Sequence, residues 1–356
     1  MSERYFPVPE PSKKPEIIAG LQLLIQREPL REEDIESFFI AWERFKQNEE
    51  EKESLLEELE NRINRAINES LFFSEIKVLE EELEKTKSFA SGKMFSLLER
   101  VNKRLNLILA TLNKPMPLIR PRREDGRPPG ADRITDRRLF EYLEILDLDL
   151  EKLLREKILD LGCGEALFVS ELSKKAEERN IKSGRGSYGI DLGLLNFLKE
   201  SNDKTKEDNV EPLEVFKRKR LQARLESLTN VVIVGDWHHL PFASQSFDRV
   251  VSVFGFPFWV ESWHSLRTGF AEILRVLKKG GVANLYPGAP VITPIDLDEA
   301  TRKIYDSEPI LYQLWHRPEY EEIIKELAKK VQVQISLKTF WPNNVSPAVY
   351  LTITVP

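Results

Sequence analysis

Gly162 and Gly164 follow the apolar run Lys157-Ile-Leu-Asp-Leu161, with Cys163 between them. Ile158, Leu159 and Leu161 suit a buried parallel strand. Glycines at its end let the chain turn sharply and bring backbone up to a ligand with no Cβ in the way. Helix-forming sequence begins at Ala166, so the stretch reads as strand, tight turn and helix start, the place where open α/β sheets bind nucleotide cofactors. A dinucleotide fingerprint needs a third glycine three positions beyond Gly164, and Leu167 stands there instead. No Gly-Lys-Ser/Thr follows the turn, so the phosphate-gripping lysine of a P-loop is missing as well. Two further strand ends are acidic. Tyr188-Gly-Ile-Asp191 places a carboxylate where it can accept both hydroxyls of a ribose. The run Val231-Val-Ile-Val-Gly-Asp236 ends on a carboxylate able to accept from an adenine amine, and Trp237 beside it can cover the base. A glycine turn with two acidic strand tips describes an adenosine site.

A parallel sheet is needed to bring these tips together. From Asp136 onward the pattern alternates, with strands expected over 157–161, 187–191, 231–234, 248–254 and 281–286 and helices over 139–154, 166–178, 194–200, 213–228, 262–277 and 320–330. Such alternation predicts a mainly parallel sheet with helices on both faces. The last two apolar runs, 332–338 and 348–354, have no helix between them and can pair as an antiparallel hairpin.

The N-terminal region, 1–117, is of a different kind. Ile35, Phe38, Phe39, Trp42 and Phe45 recur at helical spacing, and so do Leu55, Leu59, Ile63, Ile67 and Leu71, then Ile76, Leu79 and Leu83. Ser91-Gly92 interrupts the pattern, Met94, Leu98, Val101, Leu105, Ile108 and Leu112 resume it, and Pro115 and Pro117 stop it. An all-α hairpin or bundle follows. Its stripes are first explained by packing, with a coiled-coil surface for a protein partner or for self-association as the alternative. Residues 118–138 form an Arg/Pro/Gly-rich linker that buries too little apolar surface to fold alone. It reads as a solvated connection or a lid, with an anionic-substrate or RNA contact as the functional alternative. The α/β domain spans 139–356.

Composition narrows the classes. The chain has 356 residues and a net charge of −6, which gives no global case for nucleic acid or an anionic membrane. With Cys163 its only cysteine and four histidines in all, neither an intramolecular disulfide nor a Cys/His zinc site is expected, and metal-free chemistry is the default. The first residues lack a secretory pattern and no run approaches the roughly 20 apolar residues of a membrane span, so the expectation is a soluble, cytoplasmic protein.

Asp236 belongs to a longer series: Gly235-Asp-Trp-His-His-Leu-Pro-Phe242, then Ser246-Phe-Asp248, then Leu277-Lys-Lys-Gly-Gly281. In order and approximate spacing, residues 157–287 resemble the class I S-adenosylmethionine-dependent methyltransferases. The resemblance does not reach the N-terminal third. It implies a Rossmann-like, seven-stranded, mainly parallel sheet with a reversed C-terminal hairpin, and S-adenosyl-L-methionine as cofactor. On that resemblance Asp160, Gly162 and Gly164, with Cys163 in the same turn, hold the amino-acid end of the cofactor. Asp191, with Leu192 beside it, holds the ribose, and Asp236 with Trp237 the adenine. Two extensions depart from the usual spacing and read as a surface loop and a solvated insertion: 180–187, and the polar stretch 202–211 with a basic helix through Lys217, Arg218, Lys219 and Arg220 after it.

The activity implied is methyl transfer by in-line displacement, for which orientation supplies much of the catalysis and a base is optional. His238, His239 and His264 are the candidate bases, each read first as a loop or surface histidine. Phe256, Trp259 and Tyr286, after the fourth and fifth strands, suggest an apolar or planar acceptor pocket or else core packing. A small-molecule acceptor is favoured, and no Asn/Asp-Pro-Pro-Tyr motif of nucleic-acid amine methylation is present. Two other readings remain: a partner-recruiting protein whose domain binds the cofactor without turnover, and aminopropyl transfer on the same fold. For the latter, residues 255–263 offer only Glu261 to a polyamine.

Overall fold

The computed structural model describes residues 56–119, 137–191, 232–338 and 348–356, with breaks at 58–59, 62, 69, 71, 90–91, 117–118, 182–185, 234 and 293–296. It divides into two compact units, Met1–Pro115 with His316–Pro318, and Met116–Trp315 with Glu319–Pro356. The predicted helix near 31–47, Leu55, Leu59, Leu71, residues 120–136, the insertion at 202–211 and the helices at 194–200 and 213–228 lie outside the described residues.

In the first unit the periodic apolar residues form helices α1, Phe73–Phe89, and α2, Gly92–Leu112. Gly92, at the start of α2, takes a left-handed φ of +59°. Ile76, Leu79 and Leu83 of α1 and Leu98, Val101, Leu105, Ile108 and Leu112 of α2 are all buried, as are Ile63 and Ile67. His316 is fully buried too, and burial pushes its pKa from 6.5 down to about 3. The unfolded chain takes up this proton below about pH 6.5, whereas the folded form resists until about pH 3. Stability from this group is therefore complete above that window and is lost as pH falls, by up to ~1.4 kcal/mol per pH unit. Urea midpoints between pH 6.5 and 4 are expected to fall more steeply for the natural protein than for His316→Gln. Parallel slopes would contradict the assignment.

The second unit is a seven-stranded sheet in the order β3-β2-β1-β4-β5-β7-β6. Its helices and strands run α3 (Leu139–Leu146), α4 (Leu150–Leu153), β1 (Ile158–Leu161), α5 (Leu167–Glu178), β2 (Tyr188–Ile190), β3 (Val232–Ile233) and β4 (Phe247–Val253). They continue with α6 (Trp263–Val276), β5 (Leu277–Tyr286), α7 (Glu299–Ser307), α8 (Pro318–Ala328), β6 (Gln332–Lys338) and β7 (Ala348–Thr354). The strands from β3 to β5 pair in parallel, while β7 is antiparallel to both β5 and β6. All four residues of β1 are buried, as a central parallel strand covered on both faces requires. The chain winds outward in opposite directions from β1 and β4, so a crevice opens between their C-terminal ends. Among the described residues no helix is long and apolar enough to cross a membrane.

Two expected elements differ. The helix over 139–154 is broken at Asp147, which adopts φ +52°, after which Asp149 accepts from the Lys152 N–H at 2.7 Å and starts α4. Residues 278–280, read as a turn between the helix expected to end at 277 and the strand expected from 281, lie inside β5. Register passes from Phe247 opposite Leu277 to Arg249 opposite Val282, so the extra residues around Gly280 form an irregularity within the pairing. The segment 299–316, with α7 and two 3₁₀ turns, was not anticipated. Asp298 caps α7 by accepting from the Thr301 N–H at 2.8 Å.

Candidate cofactor site

The glycine turn sits where β1 ends. Gly162 and Gly164 have φ of +77° and +55°. The N–H groups of Gly162 and Cys163 both point to the carbonyl of Ile190, at 2.8 and 3.3 Å, which ties the turn to the end of β2. Asp191 follows immediately, half-buried, and its Oδ2 accepts from the Gly164 N–H at 2.9 Å. The ribose candidate and the glycine turn are thus one hydrogen-bonded unit. On its other flank the turn meets β4. A Cβ on Gly162 would stand 2.7 Å from the Gly255 Cα, and one on Gly255 2.2 Å from the Leu161 carbonyl, so two backbones approach where neither tolerates a side chain. Cys163 is buried and faces Gly189, whose added Cβ would lie 2.7 Å from its sulfur. Burial first, then Asp191 and Asp160, push this thiol well above its ordinary range, so it acts as a space-filling apolar group.

Asp160 is fully buried beneath the turn. The Tyr142 hydroxyl lies 3.1 Å from both its carboxylate oxygens. Tyr142, absent from the sequence-derived set, is thus the hydrogen-bonding partner of the carboxyl beneath the turn.

The adenine candidates occupy the loop after β3. Asp236 Oδ1 accepts from the His238 N–H at 2.9 Å and lies 2.6 Å from its Nδ1. Burial alone would raise the Asp236 pKa, but the hydrogen bonds from the His238 side chain and backbone overcome it and hold the carboxyl below the usual range. Its side chain keeps 42% of its surface exposed, so a charged acceptor faces solvent at this strand tip. The loop is braced from α6. Glu272 accepts from the Leu240 N–H at 2.8 Å, and Arg275 donates to the carbonyls of Leu240 and Phe242 at 2.9 and 2.7 Å while forking onto Glu272. Arg275→Lys keeps the charge but loses the fork. It is expected to weaken adenosine binding about three- to tenfold, the scale of one or two net hydrogen bonds. Titration with methylthioadenosine measures this, and an unchanged affinity would show that the loop holds its shape without the arginine.

The remaining candidates separate. His239 and His264 are exposed, the latter on the first turn of α6, while His238 is committed to Asp236. Phe256 is a core residue: its ring meets Phe270 at 5.3 Å and fills a notch at Gly269, whose Cβ would lie 2.2 Å from it. Tyr286 is also buried, with its hydroxyl 3.2 Å from the Lys338 carbonyl. Phe254, Phe258 and Trp259, in the loop after β4, are half-exposed, with centroids 5.8 Å apart for the first pair and 4.7 Å for the second. Leu192 lies outside the described residues. Among the described residues no cluster of three or more His, Cys, Asp or Glu could hold a metal ion.

The donor set suits an aminoacyl-adenosine. It offers a glycine turn, a carboxylate at each of two strand tips, and two buried ring nitrogens, Trp237 Nε1 and His238 Nε2, that have no hydrogen-bond partner among the described residues. With the reversed β7 and the switch between β1 and β4, these features define the class I S-adenosylmethionine-dependent methyltransferase fold. Residues 159–285 match the family model described as a methyltransferase domain. The chain is similar to the demethylmenaquinone methyltransferase of Corynebacterium efficiens, at 27% identity over 168 residues, covering 47% of this chain and 53% of the relative. It thus spans about half the length of the curated relative it matches. Similar solved structures include a SAM-dependent methyltransferase from Aquifex aeolicus (18% identity, 61% of this chain and 93% of that one, TM-score 0.32). Another is the N-methyltransferase NodS from Bradyrhizobium japonicum in complex with S-adenosyl-L-homocysteine (14% identity, 58% and 85%, TM-score 0.32).

Proposed function

We propose that the protein transfers a methyl group from S-adenosylmethionine to a small molecule with a flat apolar body. The observation that carries the reading is the hydrogen bond joining the glycine turn to Asp191, because it fixes the turn and an acidic strand tip as one cradle. When bound, the cofactor supplies a methyl group on a sulfonium, already an excellent leaving group. The residues of the chain bind and orient. Gly162, Gly164 and the Asp160 charge address the amino-acid end, Asp191 takes the ribose hydroxyls, and Asp236 the adenine amine. Orientation of this kind is worth several kcal/mol of barrier without any acid or base.

Support for a flat acceptor comes from Phe254, Phe258 and Trp259, half-exposed beyond the tip of β4, with the Arg137 guanidinium 4.6 Å from the centre of the Phe254 ring. The name of the Corynebacterium relative, which acts on a demethylmenaquinone, points the same way. The test is incubation of the folded protein with methyl-labelled S-adenosylmethionine and cell extract, followed by partition into organic solvent. Label is expected in an extractable small molecule. Label confined to protein or nucleic acid would overturn the acceptor class.

A further inference from the structure

Tyr142 grips the glycine turn at both of its ends. Its hydroxyl is 3.1 Å from each Asp160 carboxylate oxygen at the end of β1, and its ring stacks on Phe168, at 4.2 Å between centroids and 13° between planes. Phe168 is the second residue of α5, the helix that leaves the turn. Both Tyr142 and Asp160 are buried, so solvent cannot stand in for the hydroxyl. A buried carboxyl with one neutral side-chain donor among the described residues is a costly arrangement for packing alone. It becomes intelligible if the carboxyl has a charged group to serve across the turn.

We propose that Tyr142 is a positioning residue for the cationic amino-acid end of the cofactor, holding the Asp160 carboxyl so that its charge meets the ammonium group beyond the glycine turn. This rests on the assignment of the turn as the S-adenosylmethionine site. The groups that face Asp160 are Tyr142 from α3, Arg137 just ahead of α3, Asp191 at the tip of β2 and Cys163 in the turn itself. Burial is the largest influence and pushes the Asp160 pKa up to about 8. The Tyr142 hydroxyl pulls it down, Asp191 pushes it up and Arg137 pulls it down. At neutral pH the unliganded carboxyl is mainly protonated. An arriving ammonium favours the ionised form, so a proton leaves to solvent on binding and affinity rises with pH through about 8. Without the hydroxyl the carboxyl ionises less readily, and the rise moves to higher pH.

Tyr142→Phe keeps the ring on Phe168 and removes only the oxygen. Calorimetric titrations between pH 6 and 9 would use S-adenosylhomocysteine, which carries the amino-acid end, and methylthioadenosine, which lacks it. The ligand's own amino group titrates alike against both proteins and cancels in the comparison. We expect binding of S-adenosylhomocysteine to weaken about tenfold at pH 7, the scale of a hydrogen bond to a charged group. Its pH profile should move upward, while methylthioadenosine binds within about twofold of the natural protein. An equal loss for both ligands would reduce Tyr142 to a packing residue, and no loss for either would show the hydroxyl idle. If Y142F does not fold, Asp160→Asn carries the test. Its affinity for S-adenosylhomocysteine should be weaker and should lose the part of the pH dependence assigned to Asp160, and a profile identical to that of the natural protein overturns the proposal. A natural protein that binds neither ligand overturns the cofactor assignment itself, a result distinct from either failure of Tyr142.

Discussion

Gly255→Ala is expected to abolish measurable cofactor binding and to destabilise the α/β domain. The added methyl would stand 2.2 Å from the Leu161 carbonyl, 2.7 Å from the Ser252 hydroxyl and 3.0 Å from the Gly162 Cα. Two of these three atoms are backbone. Nor can the Ser252 side chain swing away freely, since its hydroxyl donates to that same Leu161 carbonyl at 2.6 Å. The tips of β1 and β4 must therefore part, and the glycine turn moves with them. Overpacking of a tight core costs about 1–3 kcal/mol, and more where backbone has to shift. Gly280→Ala is the matched control. It meets nothing within 4 Å but sits at φ +72°, so it carries the strain of a left-handed residue and leaves binding untouched. Urea titration and binding of S-adenosylhomocysteine separate the two variants. Normal affinity in the Gly255 variant would mean that the crevice lies elsewhere.

Asp191→Ala is expected to weaken cofactor binding by about 1.5–3 kcal/mol, the scale of hydrogen bonds to a charged group. The loss has two sources, the ribose hydroxyls and the Gly164 N–H, which loses an acceptor at 2.9 Å. Asp191→Asn distinguishes them. Its amide oxygen can still accept from Gly164 and hold the turn, but the charge is gone, so an intermediate loss is expected. Equal losses in the two variants would assign the whole effect to the charge, and an unchanged affinity in both would place the ribose elsewhere.

These two predictions draw on unequal kinds of information. The Gly162–Asp191 half of the candidate site could be drawn from the sequence because its signals are local. Glycines at a strand end and a carboxylate at the next tip carry their meaning within a few residues, and the unbroken apolar run before Asp160 fixes β1 as a buried central strand. The reversed hairpin was legible for the same reason, since no helix pattern separates the last two apolar runs and β6 pairs with β7 throughout. Gly255 carried no such signal. Its constraint comes from Leu161 and Gly162, on a strand brought alongside only by the parallel topology. Tyr142 was hidden likewise: within α3 it is one more apolar-face residue, and its hydroxyl meets Asp160 only after the chain has turned back through β1. Phe256 and Phe258 show the ambiguity of aromatic residues. Two positions apart in one loop, one fills a notch at Gly269 and the other stays half-exposed, a difference decided by a glycine on α6. Local pattern misled at two points. Asp147 and Asp149 break a helix that apolar spacing carried through, and the Lys278–Gly281 run, read as a turn, stays within β5.

The central claim is that the crevice between β1 and β4 holds S-adenosylmethionine through the glycine turn and Asp191. Calorimetric titration of the folded protein with S-adenosylmethionine and S-adenosylhomocysteine tests it most directly. The prediction is one-to-one binding of both ligands, weakened in parallel by Asp191→Ala. Folded protein that takes up neither would contradict it.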